Sequence, residues 1–296
     1  MTTDSKQVLP VGEPGAGSTG SSVVAVDLDR TLIYSQAALA LDPFCFPALM
    51  CVEVLNAVPA SFMTERAGRL LELLMRESVL VPTTTRTRAQ YGRVQLPGPP
   101  AQYAITANGG HLLVDGVLDA AWGKRVARAL GAALALPAVH SHLTAVLRLD
   151  FTDSLRVADE LFCYAMVRRA ALPAGLVDEL AGWAKPRGWV VSLQGRKLYC
   201  VPATVTKTAA VAEVARRVGV PAILAAGDSR LDAELLAFAD AAIRPSHGEL
   251  AETDWSHCTV AVTAATGVRA GEQMCAWLLD QVRQRRASGY QTEIRR

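Results

Sequence analysis

The chain has 296 residues, a formal charge of +2 and just over half of its residues hydrophobic, which suits one large domain or two modest ones around a sizeable core. No basic stripe interleaved with aromatics exists to bind nucleic acid, and the longest apolar run, 129–139, is broken by Gly131 and Pro137 and is too short to span a bilayer. Cys45, Cys51, Cys163, Cys200, Cys258 and Cys275 form no CxxC pair and no secretory signal precedes them, so neither a disulfide framework nor a zinc cluster is expected and a reducing cytoplasm fits best.

Residues 1–22 are rich in Gly, Ser, Thr and Pro without hydrophobic periodicity and read as a flexible tail. The stretch 12–20 within it lacks the GK[ST] ending of a phosphate loop. Val23-Val24-Ala25-Val26 reads as a buried strand running into Asp27-Leu28-Asp29-Arg30-Thr31. Residues 35–41 have helical composition, and 51–58 alternate into 59–63 as a hairpin-like flap near the first aspartates. Thr64 caps a predicted helix to about Glu77, and 78–82 form a second buried strand that ends at Thr83, Thr84 and Thr85.

A short strand over 103–106 enters the Asn108-Gly109-Gly110 turn, and 112–118 form a hairpin around Asp115-Gly116. The central block is predicted as a helix over 120–136, a half-exposed strand over 143–149 with 161–167 as its neighbour, a helix from Pro173 to about Lys185, and strands over 189–193 and 197–201. From Thr206 helices alternate with short apolar strands over 222–226, 239–243 and 258–262, before a last helix from about Gly271. Such alternation implies parallel strands. The expected organisation is a tail over 1–22, an α/β core over 23–118 and 196–296, and an inserted α+β module over 119–195.

Ligands of an open parallel sheet bind beyond the carboxyl ends of its strands. Asp27, Asp29, the threonines 83–85 and Asp228 all stand at such ends, and Asp232 follows closely. Converging carboxylates make a site for a hard divalent cation, and Mg2+ suits them. A cation beside a carboxylate suits phosphoryl transfer, with Asp27 as nucleophile and Asp29 as acid and base. A hydroxyl from Thr84 and the ammonium of Lys207 would hold phosphoryl oxygens. Thr83 and Thr85 compete with Thr84, and Lys197 with Lys207. Arg86, Asn108, His111, Arg196 and Lys197 are candidate substrate contacts. His140 and His142 read as a loop feature rather than zinc ligands, and Trp183 and Trp189 as packing.

The motifs resemble those of haloacid dehalogenase (HAD) superfamily phosphatases. Asp27-Leu28-Asp29-Arg30-Thr31 matches the DxDxT signature, and Pro82-Thr83-Thr84-Thr85-Arg86-Thr87 looks like the second motif of mannosyl-3-phosphoglycerate phosphatases. Lys207 matches the third-motif lysine and Gly227-Asp228-Ser229-Arg230-Leu231-Asp232 resembles the fourth. Asn108-Gly109-Gly110 with the following hairpin is similar to the Cof-like and sucrose-phosphatase-like branch. The resemblance implies a Rossmann-like core with a cap inserted between the second and third motifs, and metal ligation by Asp27, Asp228, the main-chain carbonyl of Asp29, and Asp232 directly or through water. It also implies a Mg2+-dependent phosphohydrolase of a small phosphate monoester, working through an aspartyl phosphate. Leu231 departs from the pattern, which has asparagine there.

Two other outcomes remain open at this level: a phosphotransferase using the same intermediate, and a non-catalytic phospholigand-binding module, favoured by Leu231. Either way the expected partner is a small phosphorylated molecule, with no nucleic acid or membrane, and the oligomeric state is not readable.

Overall fold

The computed structural model describes residues 22–44, 46–220 and 222–293, with side chains to residue 288. The segment read as a tail therefore lies outside the described residues, except that Ser22 already belongs to the first strand. The chain opens with β1 (Ser22–Val26), then the hairpin β2 (Leu49–Leu55) and β3 (Val58–Thr64) where the flap was expected, α1 (Glu65–Glu77) and β4 (Val79–Pro82). The Thr64 hydroxyl accepts from the Ala67 amide at 2.9 Å and so starts α1. A short α2 (Arg88–Tyr91) precedes a meander of β5 (Tyr103–Thr106), β6 (His111–Val114) and β7 (Val117–Leu118).

The central block holds α3 (Ala120–Leu130), α4 (Leu136–Val146), β8 (Thr152–Ala158), β9 (Phe162–Val167), α5 (Leu176–Ala184), β10 (Trp189–Gln194) and β11 (Lys197–Pro202). The chain ends with α6 (Lys207–Val218), β12 (Ala222–Ala226), α7 (Ala233–Phe238), β13 (Ala241–Arg244), α8 (Glu249–Glu252), β14 (Val260–Val262) and α9 (Gly267–Glu293).

Five strands pair in parallel in the order β14-β13-β12-β1-β4. Alternate residues of these strands face two apolar layers. Val24, Val26, Leu80, Leu224 and Ile243 pack with α1 and α9, while Val23, Ala25, Val81, Ile223 and Ala242 pack with α6 and α7. Burial on both faces explains why the strands read as unbroken apolar runs rather than as alternating ones. The expected α/β core with an inserted α+β cap is the observed architecture.

Inside the cap, the antiparallel sheet runs β10-β11-β9-β8. It extends to Pro202, beyond the expected boundary at 195, because β11 pairs with both β9 and β10. The expected strand over 143–149 is not one: its first half lies in α4, and Val139, Leu143 and Leu147 recur every four residues, all buried. The neighbour of β9 is β8 instead. The single helix expected over 120–136 is two pieces, separated where Gly131 closes α3 and Pro137 opens α4. His142 stacks on Trp183 with ring centroids 3.7 Å apart, and Trp189 donates to the Leu134 carbonyl at 2.9 Å.

The turn after β5 packs beneath the start of α6. Asn108 Nδ2 donates to the Val205 carbonyl at 2.9 Å, and a Cβ on Gly109 (φ +98°) would stand 2.2 Å from the Thr206 carbonyl oxygen. Only glycine suits both the conformation and the contact. Gly109→Ala is expected to cost about 3 kcal/mol through this collision, whereas Gly116→Ala, in an open turn at φ +77°, should cost about 1 kcal/mol. Denaturant melts of the two variants check the difference.

Candidate active site

β1, β4 and β12 end side by side, so the residues that follow them meet at one edge of the sheet. The Asp27 amide donates to the Ala226 carbonyl at 2.9 Å and the Thr83 amide to the Val26 carbonyl at 2.8 Å. These bonds carry the strand pairing one residue beyond the sheet and set Asp27 at its mouth. Lys207, the first residue of α6, is 1% exposed and donates to Asp27 Oδ1 and Asp232 Oδ1, both at 2.6 Å. Carboxylates around its ammonium offset the unfavourable place of a cation at a helix start.

Asp27, Asp228 and Asp232 are buried, and one oxygen from each lies within 4.8 Å of the others. Asp232 is oriented by the Ser229 hydroxyl (2.6 Å) and amide (3.0 Å), and Arg30 Nε stands 3.7 Å from Asp228. This is a hard, anionic oxygen set of the kind that Mg2+ prefers, and the residues fit that ion.

The charges are strongly perturbed. Burial pushes the Asp27 carboxyl up from 3.8 to about 7 against the pull of Lys207, with Asp232 adding to the rise. Burial and the neighbouring Asp27 and Asp232 raise Asp228 well above its ordinary value. Burial alone would lower the Lys207 ammonium, but Asp232 and Asp27 hold it above the usual lysine range.

Asp29 has a different partner. Arg86 Nε and Nη2 grip its two oxygens at 2.9 Å each. Burial favours its protonated form, yet the Arg86 hydrogen bonds and the charge of Lys197 keep the carboxyl well below the ordinary range. Arg86 Nη1 lies 2.9 Å from Glu53 Oε2, and Ser61 donates to the same oxygen at 2.7 Å. The hairpin β2–β3 thereby holds the guanidinium from behind. Glu53 went unnoticed in the sequence, although it is the one charge in the otherwise apolar Leu49–Leu55 strand.

The other candidates divide. Thr84 is fully buried and its hydroxyl accepts from the Arg86 amide at 3.1 Å. Thr85 donates to the Tyr199 hydroxyl of the cap at 3.2 Å, and Thr83 donates back to the Val81 carbonyl. Lys197 on β11 lies within electrostatic range of Tyr199 and Asp29. Asn108 braces the start of α6. His111 pairs with Asp159 of the β8–β9 turn at 3.2 Å, and Arg196 is exposed and pairs with Asp153 at 2.6 Å. Neither touches the carboxylate group.

The sequence matches no protein-family model and no curated protein. The fold is similar to that of the sucrose-phosphatase of Synechocystis sp. PCC6803 in complex with sucrose and phosphate, with a TM-score of 0.60 and 15% identity over 88% of this chain and 99% of that one. A Thermoplasma acidophilum protein (TM-score 0.57, 12% identity, 89% and 99% covered) and a sugar phosphatase of HAD subclass IIB (0.53, 10%, 88% and 99%) are also similar. At these identities the likeness is one of architecture: the chain has the fold of HAD-superfamily phosphatases, capped as the motifs implied. Among the described residues no helix is long and apolar enough to cross a membrane.

A carboxyl whose folded value is raised contributes stability at low pH and loses it as the pH climbs through that value. For Asp27 the window runs from 3.8 to about 7. In EDTA the melting temperature should therefore fall between about pH 4 and 7, and less steeply in Asp27→Asn. Mg2+ should flatten the slope by favouring the ionised carboxylates. Identical slopes with and without Mg2+ would refute a cation site here.

Proposed function

We propose that the protein is a Mg2+-dependent phosphohydrolase of a small phosphate monoester, with sugar phosphates as the leading class. The observation that carries this reading is the Lys207 ammonium held between Asp27 and Asp232 at 2.6 Å, with Asp228 beside them at the mouth of the parallel sheet. Sucrose-phosphatase and sugar-phosphatase structures of the same fold support the substrate class.

Mg2+, held by Asp27, Asp228 and Asp232 with the Asp29 carbonyl, would offset the charge that makes a phosphate dianion resist attack. Lys207 fixes Asp27 Oδ1, and the other Asp27 oxygen attacks phosphorus to give an aspartyl phosphate. Lys207 and the Thr84 hydroxyl hold phosphoryl oxygens. Asp29 takes a proton from water in the second half of the cycle, the role its ionised state suits. To protonate the leaving oxygen in the first half, it must first be released by Arg86 and take up a proton from solvent, and the guanidinium then turns to the anionic substrate. The cap, joined to the second motif through Tyr199 and Thr85, shuts out water and shapes the leaving-group side.

Asp27→Asn should abolish Mg2+-dependent release of phosphate from a panel of sugar phosphates, by at least about 1000-fold, while still folding and unfolding cooperatively. Arg86→Ala should lower kcat more than it raises KM, because it alters the proton donor and acceptor. Full turnover in Asp27→Asn would remove the nucleophile from this residue. Product analysis with an added alcohol separates hydrolysis from phosphoryl transfer.

A further inference from the structure

α8 begins with a residue that belongs to two parts of the molecule at once. Glu249 is 8% exposed. Its Oε2 accepts from the Ser192 hydroxyl at 2.6 Å and from the Arg230 amide at 2.9 Å, and its Oε1 accepts from the Leu193 amide at 3.0 Å. Ser192 and Leu193 lie on β10 of the cap, whereas Arg230 lies in the loop between Asp228 and Asp232. A buried carboxylate with three donors is strongly oriented, since losing any donor leaves charge desolvated without compensation.

The residues on either side of Glu249 are tied to the same loop. The Leu250 amide donates to the Asp228 carbonyl at 3.0 Å, and a Cβ on Gly248 (φ +94°) would stand 2.6 Å from Asp228 Oδ2. On the cap side, Ser192 pairs in register with Tyr199, and Gln194 with Lys197. The hairpin gripped by Glu249 is thus the one that delivers Tyr199 to Thr85 and Lys197 to the neighbourhood of Asp29. Leu231, where the motif pattern has asparagine, packs against the apolar core of the cap, and Arg169 of the cap pairs with Glu252 at 2.7 Å on the same short helix.

We propose that Glu249 is a positioning residue that couples the seating of the β10–β11 hairpin to the arrangement of the Asp228–Asp232 loop. Ordering of the loop by a bound ligand draws the hairpin down, and a seated hairpin in turn favours the ligand-ready loop. Leu231 contributes the apolar part of the same joint, in place of a polar side chain directed at the site. The proposal rests on the phosphatase reading only for what the cleft binds.

Hydrogen exchange tests it, with Mg2+ and inorganic phosphate as the probe. In the wild-type protein these should slow exchange over 228–232 and 189–202 together. In Glu249→Ala the loop should still respond while the hairpin response is lost. Ser192→Ala, which cuts only the cap side and leaves the loop contacts intact, should reduce the hairpin response without abolishing it, and serves if the glutamate variant folds poorly. On a sugar phosphate, Glu249→Ala should raise KM about tenfold, equivalent to about 1.4 kcal/mol, with kcat less affected. Undiminished hairpin protection in Glu249→Ala, or none in the wild type, overturns the coupling. Coupled exchange without turnover of any phosphate ester would instead sink the phosphatase reading and leave the joint standing.

Discussion

Everything at the mouth of the sheet depends on one buried ammonium. Three carboxylates within 4.8 Å of one another repel strongly in a poorly solvated site, and Lys207 is the cation in contact with two of them. The arrangement is stable only because the backbone imposes it. Asp27 is fixed by strand pairing, Asp232 by Ser229, and Lys207 by a helix start wedged against the Asn108–Gly109 turn. Removing the ammonium would leave its partners desolvated and unpaired, a far larger penalty than the pair itself is worth. So anionic a set of oxygens could hold a further cation.

A second ion network stands beside the first and does different work. Arg86 is held between Glu53 of the β2–β3 hairpin and Asp29. The two acids of the DxD signature are therefore not equivalent, although only one residue separates them. Asp27 is pushed up by burial, and Asp29 is pulled down by a guanidinium. Burial without enough compensation drives one carboxyl toward its neutral form, while a bidentate guanidinium keeps the other ionised. The cap meets this part of the core through the Thr85–Tyr199 and Ser192–Glu249 hydrogen bonds.

Much of this was legible in the chain. β1, β4 and β12 announce themselves as apolar runs ending in acids or hydroxyls, and four ordered motifs place their side chains at one edge. The flap was visible from the alternation of residues 51–58, and the Asp115–Gly116 hairpin from turn chemistry. The reading went astray where two periods fit one stretch. Residues 143–149 alternate like a strand, but Val139 extends their buried positions into a helical repeat that only packing reveals. Arg86 was noticed as an anion contact, while its bidentate grip on Asp29 and the role of Glu53 were not, since both require the hairpin to fold back over the second motif.

The sequence by itself determined the alternation of apolar strands and helices, the order of the acidic, hydroxyl and lysine positions, and hence the edge of the sheet where they gather. These follow from local periodicity and from the rule that parallel strands present their carboxyl ends together. Tertiary structure alone decided which charges touch. Lys207 lies 180 residues from Asp27, and Glu249 reaches from the core to a cap strand 56 residues earlier in the chain. No local signal encodes such distances, because ion pairing and burial depend on how separate elements pack.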